Sequence, residues 1–425
     1  MPDTARSVLR TYYALTLVTA LATSFIWGIN TLFLLDAGLD NAQAFTANAF
    51  FTLGEVLFEV PTGVVADTRG RRFSYLLGAG TLLLSTLLYL AMWELRAPLW
   101  GWAVASIVIG LGFTFFSGAT EAWLVDALRA TGYDGTLEHA FGRGQAIFGG
   151  AMLVGSVAGG IVAQLTSLGV PYVIRAALLG LTLLIAWRFM RDLGFQPQRD
   201  LSPLRAVRNV VRGSIDGGFR NPPVRWLMLA APFTAGVGIY VFYASQPYLL
   251  QLYGDPTAYT VAGLAAALVA GAQMLGGLGV SRVRRFFRRR TTALVLGGVL
   301  TTILLVLIGL THSFALALLL LAAWCLTFAL TSPFRQAYIN GVIPTEQRAT
   351  VLSFDSLMGS AGGVVAQPAL GRAADVYGYG TSYVIAGCVS AIALPFVWLA
   401  RRTRSSSDPI EAEPTPPIGS TEPAA

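Results

Sequence analysis

The sequence predicts an all-α membrane protein with twelve transmembrane helices in two pseudo-symmetric six-helix bundles, both termini cytoplasmic. Three observations carry that prediction. Of 425 residues, 55% are apolar and 12% are charged, where a soluble globular protein carries roughly a quarter charged residues. Stretches such as Phe73–Trp93 and Thr291–Thr311 hold no charge at all, and about 20 residues rising ~1.5 Å each cross a ~30 Å hydrocarbon layer. The second half of the chain also repeats the first. A water-soluble enzyme of this length could not hide so much apolar surface in one core, and that class is excluded.

Apolar runs place the spans at roughly 11–35, 42–66, 73–93, 99–126, 141–166, 172–190, 226–250, 258–280, 291–311, 314–338, 350–370 and 381–400. Gly and Pro within them are tolerable, because neighbouring helices can satisfy the freed backbone groups. Met1–Arg10 is polar and basic, and the run Tyr12–Leu35 is too long for a signal-peptide core and lacks an A-x-A-like cleavage site, so it reads as the first span. All 29 basic residues are arginine. One side receives Arg6, Arg10, Arg69, Arg71, Arg72, Arg129, the run Arg191–Arg220, Arg282–Arg290, Arg348 and Arg401–Arg404; the other keeps Arg96 and Arg372. The basic side is cytoplasmic by the positive-inside rule, and the expected location is the cell inner (plasma) membrane, crossed many times.

Four regions follow: an N-terminal bundle over 1–190, a basic cytoplasmic linker over 191–225 containing Pro222–Pro223, a C-terminal bundle over 226–402, and a tail over 403–425. The tail has almost no large apolar residues and is expected to be disordered. The formal charge of +7 is dispersed between apolar segments, so no nucleic-acid partner is expected. Cys325, Cys388, His139 and His312 offer neither a disulfide framework nor a metal site. Ser/His pairings, an H-E-x-x-H sequence and paired catalytic aspartates are all missing, which argues against an enzyme.

The halves match in two places. Ser117-x-x-x-Glu121-Ala122-Trp123-Leu124 corresponds to Ser332-x-x-x-Gln336-Ala337-Tyr338-Ile339, and the seven residues from Ala158 to Gln164 correspond to those from Ala361 to Gln367. Six-helix repeats with a midplane site between them are a transporter architecture.

Between spans 2 and 3 lies Gly63-Val-Val-Ala-Asp67-Thr-Arg-Gly70-Arg71-Arg72. It resembles the G-x-x-x-D-x-x-G-R-[KR] motif of the major facilitator superfamily, in the loop where that family carries it. With twelve spans and a six-plus-six repeat, the resemblance covers the chain outside its tails. Gly63 would allow close helix approach, and Gly70 a turn that other residues avoid. The resemblance implies that Asp67 accepts hydrogen bonds at the N-terminus of the eleventh helix, near Thr350, where a carboxylate meets the positive end of the dipole. It further implies that Arg71 pairs with an acid at the inner end of span 4, where Asp126 is well placed. Together with Arg72, these residues would latch the halves shut on the cytoplasmic side and favour an outward-open state. The corresponding second-half segment, Gly277-x-x-x-Ser281-x-x-Arg284-Arg285, has lost its carboxylate.

Gly150-x-x-x-x-Gly155-Ser156-x-x-Gly159-Gly160 in span 5 resembles the glycine-rich motif of the drug/proton antiporter branch, with small residues for tight packing across the half-to-half interface. Ser156 stands where that motif has proline. In span 4, Gly110-x-Gly112 is kept, but Ser106 occupies the place of the branch's arginine.

Five acids fall within spans: Glu55, Glu59, Glu121, Asp126 and Asp355. Ionisable groups there are costly and face a cavity or a partner. Glu55 and Glu59 share one helix face, and Glu55 lies about 18 Å along the axis from Asp67, the deepest acid of all. A carboxyl group in a low dielectric favours its proton-bound form, so Glu55 is the leading proton-coupling or cation-binding residue. Glu59 and Glu121 are expected at a gate, with Asp355 in the same cluster. In this family, spans 1, 4, 7 and 10 wall the cavity, which points to Trp27, Asn30 and Phe33 in span 1 and Tyr240, Tyr243 and Gln246 in span 7. Apolar walls suit a lipophilic ligand, and aromatic faces with one acid suit a cation.

The function expected is proton-coupled efflux of lipophilic drugs or other small molecules by alternating access. An uptake symporter for a small metabolite is the alternative. The partners expected are a small-molecule substrate, protons and the lipid bilayer. No cofactor is expected beyond the proton gradient as energy source, and the protein is expected to be a monomer.

Overall fold

A computed structural model of the protein describes residues 4–197, 208, 218–343 and 348–410. It is all-helical apart from one isolated bridge, Arg289 to Pro409. In the N-terminal half the helices are α1 (Ala5–Trp27), α2 (Asn30–Asp36), α3 (Asn41–Arg69), α4 (Arg71–Glu94), α5 (Leu99–Thr114), α6 (Ala119–Ala130), α7 (Leu137–Leu165) and α8 (Gly169–Phe189). The C-terminal half contains α9 (Pro222–Ala231), a π-helical turn Pro232–Gly236, α10 (Val237–Tyr253), α11 (Tyr259–Arg284), α12 (Arg290–Leu310), α13 (Phe314–Asn340), α14 (Arg348–Ala391) and α15 (Ala393–Arg402).

Ten described helical stretches are long and apolar enough to cross a membrane, and eleven if the bent pair α1 and α2 counts as one span. One of the ten, Val351–Arg402, runs for 52 residues, about 78 Å if straight. It is not straight. Gly378 breaks it with φ 82° and ψ 162°, and Ser382 Oγ reaches back to donate to Leu370 O at 2.7 Å. The two arms therefore form a hairpin, an arrangement compatible with the spans read at 350–370 and 381–400.

The breaks have local causes. Helix α1 starts on a capping box between Thr4 and Ser7. At Gly28 the first span bends by 49°, where Gly28 faces Ala266 and Gly263 of α11 so closely that a Cβ would lie 2.9 Å from the Ala266 Cβ. The fourth span is interrupted before α6 by Gly118 in the left-handed region, φ 67°. The seventh contains Pro232, which has no N–H to donate, and its π turn packs backbone to backbone on α14, with Gly236 and Pro232 against Gly362.

The repeat is visible in packing. Gly159 of α7 meets the Phe25 backbone of α1, and its counterpart Gly362 of α14 meets the Pro232 backbone of the seventh span. Gln164 Oε1 accepts from Thr260 N across the halves at 3.0 Å, and its counterpart Gln367 Nε2 donates across them to Thr52 Oγ1 at 3.4 Å. Each half also closes its arginine-rich end with a strap that follows its sixth helix. Asp192 Oδ1 accepts from the N–H of Arg72, second residue of α4, and Asp408 Oδ1 accepts from the N–H of Thr291, second residue of α12. The matched residues Trp123 and Tyr338 hold these straps, Trp123 Nε1 donating to Arg191 O and Tyr338 O accepting from Ser407 Oγ.

This corrects two boundaries. The tail expected to be disordered from 403 is folded through Ile410, because Arg290 Nη1 donates to Ser407 O and Pro409 O and Ile410 N donates to Arg288 O; residues 411–425 lie outside the described residues. The linker expected over 191–225 is packed against the bundle at its start, and α9 begins at Pro222, where a proline's missing N–H costs nothing. Most of its middle lies outside the described residues.

Candidate functional site

The halves meet on the side opposite the arginines. There Thr31 Oγ1 donates to Tyr243 O, and Asp375 of α14 accepts from the N–H groups of Asn41 (3.0 Å) and Ala42 (2.8 Å), capping α3 from the opposite half. The Tyr379 hydroxyl donates to Asn41 Oδ1. Gly160 of α7 and Gly263 of α11 touch backbone to backbone: a Cβ on either would lie 2.5 Å from a carbonyl oxygen of the other helix. Deeper in comes Gln367 on Thr52, both buried. The bonds described between the halves all lie at this contact or on its side away from the arginines.

Gln246 binds the bend in the first span. An intact helix would pair Thr31 N with Trp27 O. Here the Gln246 side-chain amide from α10 stands between them, its Oε1 accepting from Thr31 N and its Nε2 donating to Trp27 O, both at 2.9 Å. The inserted amide satisfies both backbone groups that the bend frees.

Glu55 lies one turn beyond Thr52, on the arginine-rich side of that contact. Its backbone is fixed by close packing of α3 on α5: Gly54 faces Ile107 O, and a Cβ on Gly110 would lie 2.8 Å from Glu55 N. Its side chain has no hydrogen bond or ion pair among the described residues. Glu59 and Tyr243 are the ionisable groups that act on it. Glu59, a turn further toward the arginines, accepts from Ser117 Oγ at 2.6 Å, and Glu121 is exposed.

Asp355 does not join that cluster. It is buried in the C-terminal half and paired through both oxygens with Arg335, whose Nη2 also donates to Leu227 O at 3.1 Å. The sequence gives Arg335 no prominence, yet an acid inside a span calls for such a partner.

Of the cavity-wall residues, three are committed to packing. Phe33 is fully buried in an aromatic cluster with Tyr172 (centroids 3.9 Å), Trp93 and Trp102. Tyr240 is fully buried, tilted against Phe45 (centroids 4.8 Å) and hydrogen-bonded to Ser382 Oγ at 2.5 Å. Gln246 spends both ends of its amide on the first span. Trp27, Asn30 and Tyr243 stay partly accessible. Trp27 stacks on Phe242, and Asn30 bridges Tyr172 and Asn48.

The motif after span 2 is held inside the N-terminal half. Arg71 pairs with Asp67 at 2.5 Å, not with Asp126. Among the described residues Asp67 makes no bond to the eleventh span, and no neighbouring atom approaches within 4 Å of a Cβ placed on Gly63. Gly70 does adopt φ 110°, and a side chain there would collide with Asp192. Arg72 Nη2 donates to Trp187 O at 2.6 Å. Partial burial holds the Asp192 carboxyl above its usual range, although the Arg72 N–H and the charges of Arg72 and Arg71 oppose this. In the span-5 glycine motif, Gly155 and Gly159 pack on α1 of their own half, Gly160 alone meets the other half, and Gly150 faces open space.

A profile of the Major Facilitator Superfamily matches residues 12–366 and 285–422. The chain belongs to that superfamily. It is a multi-pass membrane transporter, not an enzyme. Among solved structures it resembles the nucleoside transporter NupG (D323A mutant) at TM-score 0.77 and 12% identity, covering 92% of this chain and 99% of that one. The POT family transporter PepTSo matches at 0.72 and 13%, covering 93% and 98%. A D-xylose–proton symporter matches at 0.65 and 16%, covering 93% and 96%. At these identities the likeness is one of fold. No match is found among curated protein sequences.

Proposed function

We propose that this superfamily member is a proton-coupled transporter that exports lipophilic small molecules by alternating access, with Glu55 as its proton-carrying group. One observation supports the reading: the deepest acid of the chain has no hydrogen bond or ion pair among the described residues, a turn from the contact between the halves. An intramembrane carboxyl without a partner is a functional residue by default. The arginine-rich side is then cytoplasmic, and the protein works as a monomer in the inner membrane, with the contact between its halves closing the outer side. On this reading Gly63, Asp67, Gly70, Arg71, Arg72 and Asp126 engage as a latch in the opposite state, and Glu59 and Glu121 line the cytoplasmic gate.

The test is drug susceptibility of an efflux-deficient host expressing wild type or Glu55→Gln. Wild type is expected to raise resistance to part of a broad lipophilic panel, and the variant to remove that resistance at equal membrane level. Equal sensitivity with and without the wild-type protein defeats drug export. A pH-insensitive proteoliposome assay defeats proton coupling.

A second reading, proton-coupled uptake of a small metabolite, is favoured by one feature. Tyr172, Asn30 and Asn48 form a hydrogen-bonded chain toward the seam, where Asn48 Nδ2 and Gln367 Oε1 have no partner, an arrangement suited to a hydroxyl-bearing solute. The nucleoside and D-xylose carriers that share the fold make labelled nucleosides and pentoses the first uptake probes.

A further inference from the structure

Helix α3 begins on the side away from the arginines, and its first four N–H groups have no acceptor within the helix. Asp40 takes two of them: its side chain accepts from Gln43 N at 2.8 Å and its carbonyl from Ala44 N at 2.8 Å. The other two, on Asn41 and Ala42, are taken by Asp375 of the opposite half at 3.0 and 2.8 Å. Among the described residues no cation pairs with Asp375, and these two N–H groups are its only donors. A carboxylate held by N–H groups at the positive end of a helix makes charge-assisted bonds, roughly twice as strong as neutral ones.

Those bonds come from a stretch of α14 that the repeat does not supply. With Gln164 matched to Gln367, the end of α7 at Leu165 falls at Pro368. The first arm of α14 continues to its break at Gly378, about 13 Å further at ~1.5 Å per residue. This extension is aimed at the start of α3. A Cβ on Gly371 would lie 2.9 Å from Asn41 O, Asp375 caps Asn41 and Ala42, and Tyr379, just past the break, donates its hydroxyl to Asn41 Oδ1. The corresponding pair, α7 with α11, is capped across the halves by a neutral side chain alone, Gln164 Oε1 accepting the single N–H of Thr260 at 3.0 Å.

We propose that Asp375 is a latch that holds the two halves together on the side away from the arginines and lets go each time they part there. Parting withdraws the carboxylate and leaves two N–H groups of α3 to water, while Asp40 keeps the helix start intact, so the latch opens without unwinding α3. This role rests on the alternating access proposed above, and on neither the substrate, the direction of transport nor Glu55.

Full-length protein in detergent, lacking Cys325 and Cys388, is spin-labelled at two pairs of exposed positions and read by double electron–electron resonance. Glu94 with His312 reports the side of the latch, and Ala130 with Ser281 the arginine-rich side. Asp375→Ala is expected to raise the ratio of long to short Glu94–His312 distances by about tenfold or more, as loss of two charge-assisted bonds predicts. Asp375→Asn, whose amide oxygen still accepts, and Gln164→Ala are expected to raise it less. Should Asp375→Ala fail to fold, Asp375→Asn and Tyr379→Phe carry the test, each with a rise of about threefold. A longer Glu94–His312 distance with an unchanged Ala130–Ser281 distance keeps the latch and removes the rocking of the halves. Folded variants whose Glu94–His312 distribution superimposes on the parent's, with or without a lowered melting temperature, make Asp375 a structural cap and overturn the proposal.

Discussion

Replacing Gln246 by leucine removes an amide that stands in for one hydrogen bond of the first span. Trp27 O and Thr31 N then have two options. They can stay apart, buried and unpaired, at about 1–3 kcal/mol each. Alternatively, they can pair with each other by straightening the span. Helix α2 has seven residues, so it is ~10 Å long, and undoing its 49° bend swings its far end by about 9 Å. That swing pulls Thr31 away from Tyr243 O and unseats the seam. Both options penalise the same state, because the Gln246 bonds exist only while the halves touch on the side away from the arginines. A net loss of about 2–4 kcal/mol shifts the balance between states by roughly 30- to 1000-fold. Spin labels at the exposed positions Glu94 and His312, one on each half, in a background lacking Cys325 and Cys388, read the outcome by double electron–electron resonance. Gln246→Leu is expected to move the distribution to longer distances. A folded variant whose distribution superimposes on that of the parent refutes the reasoning.

Two further predictions concern stability. Arg335→Leu should strand the Asp355 charge and lower stability by about 3–5 kcal/mol, whereas Arg335→Met with Asp355→Leu should recover most of the loss; thermal unfolding in detergent measures both. Burial raises the Asp192 carboxyl above its ordinary value of 3.8, so the folded state binds its proton more tightly than the unfolded chain. The stability this contributes is fully present below that ordinary value and is lost as pH rises through the raised one. Asp192→Asn should flatten that part of the melting-temperature profile, since an amide oxygen still accepts from Arg72 N–H; an unchanged slope counts against the assignment.

The spans were legible because a bilayer imposes one simple rule, a run of apolar residues long enough to cross it, and composition along the chain records that rule directly. The duplication was legible for a related reason: Gly159 with Gly362, and Gln164 with Gln367, keep the same neighbours in both halves, and such packing leaves few choices of residue. Glu55 stood out because a carboxyl in an apolar run is conspicuous. The roles of the other residues were not legible. Helical periodicity put Phe33, Tyr240 and Gln246 on plausible cavity faces, but a helix in a bundle has neighbours on several sides, and only their positions reveal which face is sealed. Asp355 looked like part of an acidic cluster until Arg335 met it from the next span. Arg71 had both Asp67 and Asp126 as plausible partners along the chain, and the folded protein pairs it with Asp67. Sequence therefore determined the membrane fold, its repeat and its buried charges, because these follow from solvent and chain length. Only the tertiary structure decided the pairing of those charges and where the halves touch, because both depend on distances between helices far apart along the chain.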